Sequence, residues 1–400
     1  MKGDDIPARV SRYIIPIMIM MALVSGCGAV PSARARRLVA AMDLDAKAAQ
    51  LLLVGVPGRG AVPEAAALAI RELGPGGVLL FGFNVPDSAR DLAPALAALQ
   101  DAAGSSAAHL PLLVAIDHEG GKVFRFKEGV TRPPSPLETG RRGPTFARLL
   151  GQRVGLELRA LGVNLVLGPV VEVLDDSDAA FLGERSFGSD AARVDAVAGA
   201  YIEGLTAGGA IAAAKHYPGN GRADPHLSLP VLDLGVAVFR NTLLPRFTSA
   251  TRHRVPVVML SHALLPAIDP ERPATVSPRL IGFLEGEGGF HGVILTDDLY
   301  MKALGAPPAE SALKAVSAGA DLLMLSALEA ARPVRDALVK AVREGRLSPA
   351  RLDEAAARVV DLKLRYGLDS SLDPGARSAA LARLPKIVAQ SAALLAAFKP

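Results

Sequence analysis

The chain has 400 residues, half of them hydrophobic, enough to bury a large core. Its 44 Lys and Arg stand against 40 Asp and Glu, a net charge of +4. The charges are dispersed, with no basic run beyond Arg34-Ala-Arg-Arg37, which argues against a nucleic-acid partner. Cys27 is the single cysteine, so an intrachain disulfide is excluded.

Lys2, Arg9 and Arg12 precede an apolar run from Tyr13 to Val24, followed by Ser25-Gly26-Cys27. The run is shorter than the about 20 residues a membrane span needs and suits the core of a signal peptide. Val24-Ser-Gly-Cys27 resembles a bacterial lipoprotein processing site, in which the cysteine is lipidated and becomes the mature N-terminus. The expectation is a signal peptide over residues 1–26, a lipid anchor on Cys27, and an exported protein held on the periplasmic face of a membrane. Gly28 after the cysteine favours outer-membrane retention, by resemblance to the sorting rule of enteric bacteria. An ordinary signal peptide and a short buried helix are the competing readings, and Asp4 and Asp5 count against any export signal. Residues 27–45 are read as a linker.

From about Ala46 onward, apolar strand-like runs alternate with Ala/Leu-rich helical stretches, the pattern of parallel βαβ units. The predicted strands are Leu51–Val56, Gly77–Phe81, Leu112–Asp117, Val163–Gly168, Ala210–His216, Val255–His262, Gly292–Asp297 and Ala320–Ser326. Predicted helices include 89–100, 146–161, 190–207 and 310–318. Repetition of this kind predicts an α/β fold, a (β/α)8 TIM barrel forming one catalytic domain over residues 46–370; a doubly wound open sheet is the alternative. An amphipathic helix over 352–364, a turn at 370–374 and a further helix over 376–398 follow. Residues 371–400 form a helical tail, too short for a second ordinary domain.

Polar residues recur where the apolar runs stop: Asp117 and Glu119, Lys215 and His216, Ser261 and His262, Asp297 and Asp298. Barrel active sites form at the C-terminal ends of the strands, so four such endings describe one barrel mouth. Asp297, at a strand tip, is held rigidly enough to act as a nucleophile; capping of the next helix is the alternative, and a double Asp allows one residue to cap while the other reacts. Asp117 and Arg125 offer a carboxylate and a forked guanidinium to sugar hydroxyls, against the reading of a solvated turn. Any such sugar site lacks an indole platform, because the chain has no tryptophan. His118 and Glu119 match no common metal-ligand spacing, and no metal is expected. Arg185 lies in a loop after the fourth strand, where a surface role is the alternative. No Gly-x-Ser-x-Gly elbow surrounds Ser261, so Ser261 and His262 read as a structural hydrogen-bonding pair. A phosphate-binding barrel is disfavoured by the lack of a Gly-rich loop after the seventh or eighth strand. Lys215-His-Tyr-Pro-Gly-Asn-Gly-Arg-Ala-Asp-Pro-His226 carries two titratable pairs. The second, Asp224 and His226, places a carboxylate two residues from an imidazole that it can orient and make more basic.

Taken in order, IDHEGGKVFRF, GERSFGSD, KHYPGNG with DPH, LSHALLPAIDP and GVILTDDLYMKA resemble glycoside hydrolase family 3, in its single-domain β-N-acetylhexosaminidase branch, over roughly Ala46 to Gly367. The resemblance implies a TIM barrel, a retaining mechanism and no cofactor. It implies Asp297 as nucleophile, His226 as acid/base with Asp224 as its partner, and Asp117, Arg125, Arg185, Lys215 and His216 as ligands of the terminal sugar. The implied substrate is a terminal β-linked N-acetylglucosamine on an amino-sugar oligosaccharide or muropeptide. Two departures stand out. Gly219-Asn-Gly221 replaces the usual Gly-His-Gly, and the loop to Asp-x-His is shortened, with Pro225 restricting the backbone between Asp224 and His226. A β-glucosidase or β-xylosidase of the same family and a non-catalytic cell-wall-binding lipoprotein are the alternative functions.

Overall fold

A computed structural model describes residues 30–175, 182–221 and 227–398. Eight parallel strands follow one another around a ring: β1 (Leu52–Gly55), β2 (Gly77–Leu80), β3 (Leu113–Ile116), β4 (Leu165–Val166), β5 (Ile211–Tyr217), β6 (Val257–Leu260), β7 (Val293–Leu295) and β8 (Leu323–Leu325). β8 pairs with β1, and a parallel bridge between Leu295 and Leu322 brings β7 to β8, so the sheet is a nearly closed barrel. The expected barrel is therefore the fold, and the open sheet is not.

Helices fill the connections. α1 (Ala33–Ala40) and α2 (Leu44–Gln50) precede β1, and α3 (Glu64–Leu73) and α4 (Ala93–Gly104) follow β1 and β2. α5 (Pro136–Arg142) and α6 (Pro144–Leu161) follow β3, and α7 (Ala191–Ala207) follows β4. After β5, α8 (Val236–Val238) runs through a π-helical turn into α9 (Leu244–Arg252). α10 (Pro278–Glu285) follows β6, and α11 (Pro308–Ala318) follows β7. α12 (Ala331–Arg343), α13 (Pro349–Arg365) and α14 (Pro374–Ala397) complete the chain. Side-chain oxygens of Ser32, Asp43, Ser135, Asp190, Ser277 and Asp373 accept from backbone N–H groups of the first turn, the capping that starts six of these helices.

Side-chain alternation along the strands divides the core in two. Leu53, Leu79, Leu113, Leu165, Ile211, Val257, Val293 and Met324 fill the barrel interior, while Leu52, Val54, Val78, Val114, Val166, Ala212, Val258 and Leu323 belong to the layer between sheet and helices. Every strand is buried on both faces, which is why the runs read as continuously apolar.

Two segments differ from their sequence reading, and the packing of a third was not read from sequence. The fourth strand shrinks to two residues. Asn164 occupies its start, accepting from Val114 N–H at 2.8 Å and donating to Leu112 O at 3.1 Å, and Pro169 supplies no donor at its end. The stretch read as a linker contains α1, which packs on α13 and is tied to it by Ser32 N–H donating to Asp361 Oδ1 at 2.9 Å. The helical tail is docked: Leu384, Ser391 and Leu394 of α14 are buried, and Phe398 meets Phe146 of α6 with ring centroids 5.1 Å apart.

Candidate active site

The C-terminal ends of β3 and β5 and the turn at Gly183–Arg185 meet in one charged cluster. Glu119 is its pivot. Its Oε1 accepts from Lys215 Nζ at 2.7 Å and Arg185 Nη2 at 2.8 Å, and its Oε2 accepts from Arg185 Nε at 2.9 Å. Lys215 Nζ also donates to Asp117 Oδ1 at 2.7 Å, and Arg125 Nη2 stands 3.6 Å from Asp117 Oδ2. The side chains of Glu119 and Lys215 are 1% and 2% exposed, against 27% for Asp117 and 34% for Arg125. Glu119 and Lys215 therefore form the floor, and Asp117 and Arg125 face the open mouth. The Nε of Arg125 is buried without a hydrogen-bond partner among the described residues.

Charge compensation fixes the protonation states. Burial works to raise the Glu119 carboxyl, but Lys215 and Arg185 outweigh it and hold the group down at about 2. Burial opposes ionisation of Asp117 as well, and Lys215 still brings it below the ordinary carboxylate range. The reciprocal fields of Asp117 and Glu119 overcome the burial of Lys215 and raise its ammonium. His118, buried and facing the charge of Arg125, is pushed down to about 4 and is neutral at pH 7.

His216 joins through a second carboxylate. Its Nδ1 lies 2.8 Å from Glu172 Oε1, and Glu172 Oε2 accepts from Asn220 N–H at 2.9 Å. Burial tends to raise Glu172, and the bonds from His216 and Asn220 bring it below its usual range. A carboxylate on Nδ1 places the donor proton there and leaves Nε2 as the free nitrogen. The Lys215–His216 peptide bond is cis. The carboxamide of Asn220 is buried with neither of its polar atoms paired among the described residues.

Asp297 stands two residues beyond β7 at the same end of the barrel and is 7% exposed. It takes no part in the ion-pair cluster among the described residues. The two acids of the Asp-Asp pair divide their work. Asp298 N–H donates to Asp297 Oδ1 at 2.8 Å, while Asp298 Oδ1 accepts from Tyr300 N–H at 3.2 Å and Ser326 N–H at 3.0 Å. Asp298 is thus the turn-capping residue, and the Asp297 carboxylate is held by one backbone donor. His262, fully buried, donates from Nε2 to the Asp298 carbonyl at 2.9 Å, and its Nδ1 meets Thr275 Oγ1 at 2.6 Å. His262 therefore braces the strand end that carries Asp297, while Ser261 Oγ donates to Gly219 O at 2.8 Å.

Asp224 and His226 lie outside the described residues, as does Cys27. Sequence reasoning missed Glu172. Its signal is a lone acid inside Pro169-Val-Val-Glu-Val173, where an isolated charge in an apolar run needs a buried partner. Among the described residues, no group of three or more His, Cys, Asp or Glu side chains is arranged to hold a metal ion.

A nearly closed parallel barrel with carboxylates and cations gathered at its C-terminal mouth has the architecture of a TIM-barrel enzyme. Residues 43–362 match the glycosyl hydrolase family 3 N-terminal domain, and the chain belongs to that family. Within it, the chain falls in the β-hexosaminidase branch, as a single catalytic domain covering most of its length. A β-hexosaminidase of Methylobacillus flagellatus is 35% identical over 262 residues, 62% of this chain and 73% of that protein. The solved family 3 β-N-acetylglucosaminidase of a Paenibacillus species is 32% identical with a TM-score of 0.79, over 87% of this chain and 69% of that one. The β-N-acetylhexosaminidase of Beutenbergia cavernae is 30% identical with a TM-score of 0.74, over 80% of this chain and 98% of that one.

Proposed function

We propose that the protein is a retaining exo-β-N-acetylglucosaminidase that removes terminal β-linked N-acetylglucosamine from peptidoglycan fragments. The observation that carries this reading is the arrangement at the mouth: a braced Asp297 just beyond β7, apart from a charged cluster at the ends of β3 and β5. Asp117, Arg125, Arg185, Lys215 and His216 hold the sugar. In the first half-reaction an Asp297 oxygen bonds to the anomeric carbon as the glycosidic C–O bond breaks, and His226, oriented by Asp224, gives its proton to the departing oxygen. In the second, His226 takes a proton from water, whose oxygen displaces Asp297 and releases the sugar with retained configuration. An imidazole suits a site that already holds Asp297, Asp117 and Glu119, where a further negative charge is costly.

The printed activities of the relatives support an amino-sugar substrate. The lipobox-like Val24–Cys27 supports export and anchoring through Cys27, which would place the enzyme in the envelope beside peptidoglycan.

The test is product analysis after incubation with muropeptides, with two variants in parallel. Wild type should release N-acetylglucosamine as the β-anomer. Asp297→Asn should lose on the order of 10³-fold or more in kcat. His226→Ala should lose far more on alkyl glycosides than on nitrophenyl glycosides, because only a poor leaving group needs the proton. Release of the α-anomer, or equal losses for both leaving groups, would overturn the assigned mechanism. Faster cleavage of nitrophenyl β-glucoside than of the N-acetylglucosaminide would overturn the substrate.

A further inference from the structure

The rim of the mouth carries an aromatic pair that the mechanism above does not use. β2 runs out into Phe81-Gly82-Phe83-Asn84. Phe81 packs on the interior core of the barrel, closing it from above. It lies across Gly55, where a Cβ would stand 3.0 Å from Phe81 Cε2 and 2.1 Å from Ser326 O, so only glycine permits this closure. Phe83 stacks on Phe81 with centroids 5.5 Å apart and planes inclined by 13°, yet remains 59% exposed.

The turn that presents this ring is pinned. Asn84 is buried; its Oδ1 accepts from Phe81 N–H at 2.8 Å, and its Nδ2 donates to Val56 O and Gly58 O, each at 2.8 Å. An exposed ring on a fixed turn loses little conformational entropy when something docks on it.

Its neighbours say what docks. On one side Phe81 and Ser326 both crowd the Cβ position of Gly55, and Ser326 N–H donates to Asp298 beside Asp297. On the other, Arg125 Cδ lies 3.6 Å from where a Gly82 Cβ would stand, and Arg125 pairs with Asp117. The Phe81–Phe83 turn therefore borders both the nucleophile strand end and the hydroxyl-binding cluster, and Phe83 is its outermost member.

We propose that Phe83 is the platform for the second sugar ring of the substrate, the pyranose on the leaving-group side of the scissile bond. The terminal sugar needs the charged floor for its hydroxyls; the next ring needs a flat apolar surface for its C–H face, farther out on the same wall. The chain has no tryptophan, and a phenylalanine stacked on a second one supplies the rigid face instead. The proposal rests on the glycosidase reading above.

The test compares N,N′-diacetylchitobiose, whose leaving group is a pyranose, with β-N-acetylglucosaminyl fluoride, whose leaving group is one atom. Phe83→Ala should raise KM for the disaccharide by about tenfold more than for the fluoride, the scale of one aromatic stacking contact. Phe83→Trp should keep the wild-type ratio to within about twofold, because the flat face is retained. Equal changes on the two substrates, or a Trp variant as impaired as the Ala variant, would overturn the proposal while leaving the glycosidase reading intact. A wild-type enzyme that turns over neither substrate would overturn both.

Discussion

Glu119 shows how much of this site rests on one buried carboxylate. Lys215, almost fully buried, meets Glu119 and Asp117, and Arg185 grips Glu119 with two of its nitrogens. Replacing Glu119 with Gln keeps the shape but removes the charge that Lys215 and Arg185 share. Breaking a buried ion pair from one side costs about 3 kcal/mol. Glu119→Gln should therefore unfold at distinctly lower urea and show a raised KM, because Asp117 and Arg125, the proposed sugar ligands, stand on that floor. An unchanged midpoint would mean that Glu119 is not the pivot. Its role was poorly legible in the sequence, where Asp-His-Glu-Gly-Gly-Lys reads equally as a solvated turn; burial comes from the distant Lys215 and Arg185, which no local pattern contains. Asp297 and Asp298 were better marked, since a double acid at a strand tip invites one residue to cap and the other to remain free, and the hydrogen bonds assign capping to Asp298.

At the scale of elements, the strands were legible because burial on both faces leaves one composition, a run of aliphatic residues that stops at a polar one. Helix packing was not legible, because close approach is a property of two segments at once. α6 and α7 illustrate this. A Cβ on Gly204 would stand 2.1 Å from Arg148 O, and one on Gly151 would stand 2.5 Å from Tyr201 O, so backbone packs directly on backbone along this seam. Gly282 in α10 has nothing within 4 Å of its Cβ position. The two glycines respond oppositely to the same substitution. Gly204→Ala forces the helices apart and should destabilise by about 1–3 kcal/mol. Gly282→Ala only removes backbone freedom from the unfolded chain and should stabilise by about 0.4–1 kcal/mol. Parallel denaturant titrations check both signs, and a neutral Gly204→Ala would refute the seam.

For the whole molecule, the C-terminal section is part of the barrel. α13 closes the end opposite the mouth: Val359 and Leu362, with Leu368 beyond the helix, belong to the interior core, while Ser32 ahead of α1 is tied to Asp361 on the same helix. Held between the barrel floor and the N-terminal helices, α13 buries Lys363 completely, a position that an amphipathic pattern would have left partly solvated. Lys363 Nζ donates to Gln50 Oε1 at 2.7 Å, and Gln50 Nε2 donates to Gly74 O at 2.8 Å, so one chain of bonds joins α13, α2 and the turn after α3. No carboxylate compensates it among the described residues, and burial pushes its ammonium from 10.5 down to about 7. In the interval between those values the unfolded chain binds a proton there that the folded chain does not, so stability rises with pH. Below about 7 both states are protonated and the folded state bears the full cost of a buried charge. Lys363→Met removes the group from both states. The difference in unfolding free energy between wild type and variant should shift in favour of wild type as pH rises from 7 towards 10, and should stay flat below 7. A difference that does not change across that interval would show that Lys363 remains charged in the folded protein, its cost met by a partner other than Gln50.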